Sequence, residues 1–169
     1  MPKIIQNPEK RLIEEAIRQI EEVGYSGMTI RSVAKACGVG VGTVYNYFLS
    51  KDDLLAKYLL DDWSDCVKMI NAVSEYSESA RSVARCICDQ LNRYTHRHER
   101  IFRDETAAAS FAGSFGRYHA LLRSQLSAPL RKFCENNFTA EFIAEALLTW
   151  TMAGKTFEEI YSIIENLLI

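Results

Sequence analysis

Residues 29–51, TIRSVAKACGVGVGTVYNYFLSK, leave this chain the fewest choices of fold. Thr29 suits a helix N-cap, because its hydroxyl can accept from a free backbone N–H of the first turn. Ile30, Val33, Ala34 and Cys37 then recur at helical spacing and form one apolar stripe. Gly38 can take the left-handed conformation that ends a helix, and Val39 is placed to plug the angle between two helices. A second short helix is expected over residues 41–48. In it Val44 and Phe48 fall four apart and face inward, which leaves Thr43, Tyr45, Asn46 and Tyr47 largely outside. Two helices joined by a tight glycine turn make a helix-turn-helix, whose second helix enters the major groove of DNA.

The remaining sequence reads as helix throughout. Asn7-Pro8-Glu9 is a helix opening, with Asn as cap, Pro at the first helical position and Glu at the positive end of the dipole. Leu12, Ile13, Ala16, Ile17 and Ile20 give that helix an apolar face, and Gly24 ends it. Tyr25 and Met28 are placed to floor the three-helix unit. Ser50 and Asp53 make a near capping box and launch a long helix through Leu55, Leu59, Trp63, Cys66, Ile70 and Val73, with no Gly or Pro to interrupt it. At about 24 residues it would run about 36 Å, a lever between domains. Further helices are expected around Val83 to Tyr94, over residues 99–111, and from near Ser114 until Pro129 kinks or ends the run. Two more follow, over residues 139–153 and from the Thr156-x-x-Glu159 capping box almost to Ile169. The small residues Ala107, Ala108, Ala109, Ala112 and Gly113 suit either close helix approach or a void. No strand-like alternation and no internal repeat is present. The expected fold is therefore all-α with about nine helices: a helix-turn-helix DNA-binding domain over residues 1–50 and a helical regulatory and dimerisation domain over residues 51–169.

With 169 residues, 48% of them hydrophobic, the chain can bury a real core. No apolar run approaches the roughly 18–20 residues that span a bilayer, and the N-terminus lacks the apolar stretch of a signal peptide. Five cysteines without framework spacing suit a reducing compartment, so a cytoplasmic location and no membrane partner are expected. The net charge of −2 divides as 8 Lys/Arg against 7 Asp/Glu in residues 1–60 and 12 against 15 in residues 61–169. Phosphate attraction must then come from placement, with Arg31, Lys35 and Lys51 near helix N-termini, rather than from a strongly basic domain. The segment MPKIIQ, with Lys3, has two open readings: an arm that touches DNA, or a frayed end.

The run TIRSVAKACGVGVGTVYNYFLSKDDLL closely resembles the signature of TetR-type (tetracycline-repressor-like, TetR/AcrR) transcriptional regulators. In these a Gly-Val turn precedes a Thr-x-Tyr-x-x-Phe helix, and a Lys opens the next helix. The resemblance covers residues 13–59. Two positions depart from the usual pattern. Gly40 stands where Ser commonly caps the recognition helix, although Gly is itself an acceptable cap. Tyr47 stands where His is common and keeps a hydroxyl donor for a phosphate. The resemblance implies Thr43 and Asn46 as readers of base edges, since Asn can bond adenine bidentately and a Thr methyl can meet a thymine methyl. It implies Thr29, Arg31, Tyr45, Tyr47 and Lys51 as phosphate contacts that set register. Val41 could brush a base, and Gly42 lets the backbone approach closely. Packing for Tyr45 and a solvated first-turn position for Lys51 are the plain alternatives.

The last helix carries more apolar surface than a one-sided element needs. Phe157, Ile160, Tyr161, Ile164 and Leu168, with Leu147, Leu148 and Thr151 of the preceding helix, are assigned to a homodimer interface. The competing reading is that they only fill the monomer's core. Two recognition helices about 34 Å apart would fit a palindromic operator in double-stranded DNA. Trp63, Phe102, Phe111, Phe115, Tyr118 and Trp150 are assigned to a pocket for a small apolar effector, the arrangement implied by the resemblance; ordinary core is the alternative for each. His119 is a candidate polar handle there.

No cofactor and no metal site is expected. Cys86 and Cys88, like His96 and His98, stand two apart and so diverge by roughly 200° on a helix. Cys37 is expected to be an inert packing residue rather than a redox sensor. No catalytic triad, phosphate loop or carboxylate pair appears, which argues against an enzyme. The reading that results is a ligand-responsive, homodimeric transcriptional regulator, a repressor released from its operator by the effector. An architectural or protein-binding module of the same fold, without ligand control, is the alternative.

Overall fold

A computed structural model describes residues 7–111 and 115–169, with side chains described outside positions 111 and 115–117. The segment MPKIIQ, Ala112, Gly113, Ser114 and the side chains of Phe111 and Phe115, all of which figured in the expectations above, lie outside the described residues. The α-helices in chain order are α1 (Pro8–Gly27), α2 (Ile30–Cys37), α3 (Val41–Tyr45), α4 (Lys51–Tyr76) and α5 (Ala80–Arg97). After them come α6 (Glu99–Phe102), α7 (Glu105–Phe111), α8 (Phe115–Ser127), α9 (Asn137–Met152) and α10 (Phe157–Ile164). Short 3₁₀ turns follow α8 (Ala128–Phe133) and α10 (Glu165–Leu167). Among the described residues there is no strand, and no helix is long and apolar enough to cross a membrane. The fold is all-α, as expected.

Most boundaries follow from short-range chemistry. The Asn7 side chain accepts from Lys10 N at 3.3 Å with Pro8 in the first turn. Ser50 Oγ accepts from Asp53 N at 3.0 Å, while Asp53 Oδ2 accepts from Leu49 N at 3.0 Å, so the near capping box closes one residue further back than a standard one. Thr156 and Glu159 complete a full capping box at α10. α9 starts two residues earlier than expected, because Asn136 accepts from Thr139 N at 2.9 Å and so captures the cap. Pro129 acts as expected, with α8 ending at Ser127 and the chain tightening into the first 3₁₀ turn.

One expected helix is two. Asp104 interrupts the run over residues 99–111. Its Oδ1 accepts from Thr106 N at 2.9 Å and Ala107 N at 3.0 Å, capping α7, and its Oδ2 accepts from Tyr25 N at 3.1 Å. The Tyr25 amide is available because Gly24 sits at φ 75° and ψ 169°, outside the helical region, so the helical ladder of α1 is broken there. That conformation favours glycine.

By packing, the described residues of Met1–Asp61 with Glu99–Ala112 form one compact unit, and those of Asp62–His98 with Gly113–Ile169 form another. The division differs from the boundary at 50/51, because α4 runs on past it and α6 and α7 join the N-terminal unit. The first unit buries Leu12, Ala16 and Ile20 of α1, Val33 of α2, Val44 of α3 and Leu54 of α4, with Tyr25 and Met28 at its floor as expected. Ile101 and Ala107 complete it. The second unit is built on α9, where Ala140 and Ala144 are fully buried and let neighbouring helices approach closely beside Ile143, Leu147 and Leu148.

Candidate nucleic-acid interface

The helix-turn-helix is fixed from inside and polar outside. The Thr29 hydroxyl accepts from Ser32 N at 3.0 Å, and Ser32 Oγ accepts in return from Thr29 N at 3.1 Å. Ser32 Oγ also donates to Gln19 Oε1 at 2.5 Å, which ties the start of α2 to α1. Thr29 is thus occupied as a cap. Gly38 takes φ 68° and closes α2, its N–H reaching Ala34 and Lys35 carbonyls. Cys37 is half-buried, its Sγ is 3.6 Å from Arg11 O, and burial pushes its thiol pKa up, so it stays protonated and unreactive.

α3 is shorter than expected. It spans Val41–Tyr45, Gly40 caps it without a side-chain bond, and Asn46 is already its C-cap. Val44 and Phe48 are buried as anchors, and both the Tyr47 and Phe48 N–H groups bond Val44 O at 3.0 Å. The outward face carries Tyr45, Asn46 and Tyr47, all exposed, with Thr43 and Val41 half-buried. A Cβ built on Gly42 would meet nothing within 4 Å, so packing within the chain does not require glycine there. Arg31 and Lys35 are exposed on α2. Tyr45 is 51% exposed, so the packing alternative for it has no support.

Lys51 has a partner within the chain. Its Nζ donates to Tyr25 O at 3.2 Å and sits 4.1 Å above the Tyr25 ring. The ammonium closes the carbonyl end of α1 and locks the floor, a structural duty that the sequence reading did not assign to it. Asp104 is the residue sequence reasoning missed. Through Tyr25 it joins the same floor, and its signal was present: an Asp followed by Glu105 and a run of helix formers is an N-cap pattern.

In the second unit the residues assigned to a dimer face are mostly covered within the chain. Leu147, Leu148, Thr151, Phe157, Ile160, Tyr161 and Ile164 are buried within the single chain, and Leu168 is half-buried. Thr151 Oγ1 meets Cys88 Sγ at 3.2 Å inside that core. The apolar surplus lies on the other side of the same helices, where Phe138, Phe142, Trp150, Met152 and Ile163 are all at least half exposed. Of the six aromatics assigned to a pocket, the side chains of Phe111 and Phe115 lie outside the described residues. Trp63 is buried, with its indole N–H donating to Gln125 Oε1 at 2.7 Å and its ring edge-on to Tyr94 at 5.3 Å. Tyr118 is half-buried, Phe102 belongs to the other unit and is exposed, and Trp150 is 52% exposed. His119 Nε2 lies 3.3 Å from Glu145 Oε1, joining α8 to α9.

His98 is 1% exposed at the C-cap of α5. Its Nε2 is 2.8 Å from Asp62 Oδ2, Arg97 bonds the other oxygen of the same carboxylate, and the Tyr94 ring packs against the imidazole at 4.7 Å. Burial lowers the His98 pKa more than Asp62 raises it. His96 is exposed while His98 is buried, so the pair diverges as the helical spacing requires. Among the described residues no group of three His, Cys, Asp or Glu side chains could hold a metal ion.

A buried-anchor helix presenting amide and aromatic groups beyond a glycine turn, in an all-α chain, is the architecture of the helix-turn-helix proteins. The description "Bacterial regulatory proteins, tetR family" matches residues 12–58 of this chain. The HTH-type transcriptional regulator BetI of Serratia proteamaculans is 33% identical over 87 residues, 48% of this chain and 44% of that protein. BetI 1 of Chromohalobacter salexigens is 36% identical over 94 residues, 53% of this chain and 46% of the relative. The matched stretch thus spans about half the length of these curated relatives. Among solved structures, Thermus thermophilus FadR, a repressor in complex with lauroyl-CoA, is similar at TM-score 0.64 and 17% identity over 94% of this chain and 92% of that one. The multidrug binding protein EbrR is similar at TM-score 0.59 and 18% identity over 98% and 97%. Those likenesses concern the fold. These curated relatives and FadR are transcriptional regulators, not enzymes.

Proposed function

We propose that this chain is a homodimeric, effector-controlled DNA-binding regulator that acts as a repressor at a palindromic operator. The observation that carries the reading is α3: Val44 and Phe48 anchor it while Tyr45, Asn46 and Tyr47 face outward, in residues that match the tetR family. Asn46 and Thr43 read base edges; Tyr45, Tyr47, Arg31 and Lys35 position the phosphates; Val41 and the bare backbone at Gly42 permit close approach. Residues 1–50 supply this reading head, and the rest of the chain regulates it and pairs two copies. The pairing face is the outward side of α9 and α10, around Phe138, Phe142 and Ile163, because large exposed apolar residues on two packed helices suit an association surface.

Control by a small molecule draws support from the structural neighbours whose descriptions include a bound acyl-CoA or multidrug binding. In this chain the interior of the second unit around Trp63 and Tyr94 is the place for it. Selection from randomised duplexes tests the DNA reading. An enriched two-fold symmetric site, bound in a salt-dependent way and relaxed at one position per half-site by Asn46→Ala, is expected. Failure to enrich any sequence over non-specific binding would refute it.

A further inference from the structure

A buried amide of α1 holds the cap of α2. Gln19 is nine-tenths buried, and its partners assign both ends of its side chain. Arg18 bonds both oxygens of Glu15, at 2.9 and 2.6 Å, which keeps that carboxylate an ionised acceptor. The group facing Glu15 at 2.7 Å is therefore the Gln19 nitrogen, and Gln19 Oε1 faces Ser32 Oγ at 2.5 Å. The Ser32 hydroxyl has one proton and two acceptors in reach. One is Gln19 Oε1, and the other is Thr29 O at 2.8 Å, which already accepts from Val33 N at 3.0 Å. The proton goes to Gln19, and the Ser32 lone pairs are left to the Thr29 N–H at 3.1 Å and the Thr29 hydroxyl at 3.0 Å. Thr29 Oγ1 thus accepts from Ser32 N as a cap and keeps its own proton.

Resting on the DNA-binding reading above, we infer that Gln19 is a positioning residue for DNA: it fixes Thr29 against α1 so that the Thr29 hydroxyl donates to one backbone phosphate while still capping α2. Thr29 is exposed and stands two residues before Arg31. On meeting a phosphate its proton leaves a neutral contact to Ser32 for a charge-assisted bond, which is roughly twice as strong. The two side chains differ in reach. Arg31 has a long stem and can follow a phosphate that is slightly displaced, whereas a hydroxyl on Cβ cannot, so the Thr29 contact is the one that depends on the tie to α1. A buried network whose donors and acceptors are matched specifies one arrangement, and a short donor needs that.

Methylphosphonate substitution removes the charge of one phosphate at a time, and it tests this on the full chain with the duplex enriched in the selection above. Thr29→Asp marks the phosphate concerned. It keeps an oxygen for the cap but puts a negative charge in place of the proton, so neutralising that phosphate should tighten its binding where it weakens that of the native chain. There the native chain should lose about tenfold in affinity, the worth of one charge-assisted hydrogen bond. Gln19→Met should lose less than about threefold at the same phosphate, with the losses at phosphates sensitive to Arg31→Ala unchanged. Ser32→Ala cuts the same tie from the other side and should reproduce the pattern. If Gln19→Met does not melt cooperatively, Ser32→Ala decides, and an unchanged footprint in it overturns the inference. A Gln19→Met footprint equal to the native one also overturns it, as does a loss of sensitivity spread over every phosphate, which would mean that Gln19 only supports the fold. If no phosphate inverts in Thr29→Asp, the inference fails and the DNA reading stands. Failure to enrich any duplex overturns both.

Discussion

Asp104→Ala should weaken the DNA-binding unit from a position about 60 residues beyond the recognition helix. The carboxylate makes two kinds of bond. Loss of the α7 cap, made to Thr106 N and Ala107 N, costs about 1 kcal/mol, the typical value for replacing a capping Asp by Ala. Loss of the bond to Tyr25 N strands a donor at the Gly24 break, and an orphaned backbone N–H costs about 1–3 kcal/mol. Water reaches half-buried Asp104, which favours the lower part of the range and gives about 2–3 kcal/mol in all. Out of a total of roughly 5–15 kcal/mol this is a large share. Asp104→Asn should cost less, because its carbonyl oxygen can keep the cap while its amide turns a donor toward Tyr25 N. With two packing units, unfolding need not be two-state, so native-state hydrogen exchange is the suitable assay. Protection of the Tyr25, Thr106 and Ala107 amides should fall by about 30- to 150-fold for those energies, with less change in α9. Unchanged protection at Tyr25 in Asp104→Ala would refute the reasoning.

Lys51→Met keeps the aliphatic stem and removes the bond to Tyr25 O, so it should destabilise by about 1–3 kcal/mol while leaving the salt dependence of DNA binding alone. Arg31→Ala and Lys35→Ala should each flatten the log affinity against log salt plot by about 0.9; a larger flattening from Lys51→Met would restore its phosphate role. Phe142→Asp or Ile163→Asp should yield folded monomers in sedimentation. Leu147→Ala should instead cost about 2–5 kcal/mol of stability with assembly unaffected in the fraction that folds. The His98 pKa is depressed in the folded state, so its contribution is fully present above the unfolded value of about 6.5 and is lost as pH falls through the folded value. Thermal melts should show stability declining below about pH 6.5. His98→Gln should remove most of that decline, and an unchanged pH profile in the variant would assign it elsewhere.

Which parts of this structure could be read from sequence follows the range of the interaction concerned. Caps at Asn7, Thr29, Ser50 and Thr156 are three-residue events and were legible. The anchors Val44 and Phe48 were legible because their spacing and the glycine turn agree. The shortened α3 was not, since Gly40 offers no side-chain bond to hold the helix start and the residues after Tyr45 serve the turn. Lys51 reads as a surface residue until Tyr25 lies beneath it, and that contact spans 26 positions. Which side of α9 is covered within the chain was not legible for a different reason. α9 has Phe142 and Trp150 on one side and Ile143 and Leu147 on the other, and hydrophobicity alone does not rank the two. What ranks them is the pair Ala140 and Ala144, whose small size marks the side where other helices come close.

The helix-turn-helix is also not self-sufficient as a segment, although its motif is contiguous. Its apolar cluster takes Ile101 from α6 and Ala107 from α7, and its floor takes the Asp104 carboxylate. Burying one Ile side chain is worth about 1.5–3 kcal/mol, and with the Asp104 bonds the loss reaches about 4–6 kcal/mol. That is as large as the whole stability expected of a module of about 60 residues, where a small core leaves little margin. A fragment of residues 1–61 should therefore show helical circular dichroism without a cooperative melt. Tethering residues 99–112 to it through a flexible linker should restore the transition, and Asp104→Ala in the tethered segment should blunt the recovery. A cooperative melt in the bare fragment equal to that of the tethered one would show that α6 and α7 rest on this unit without supporting it.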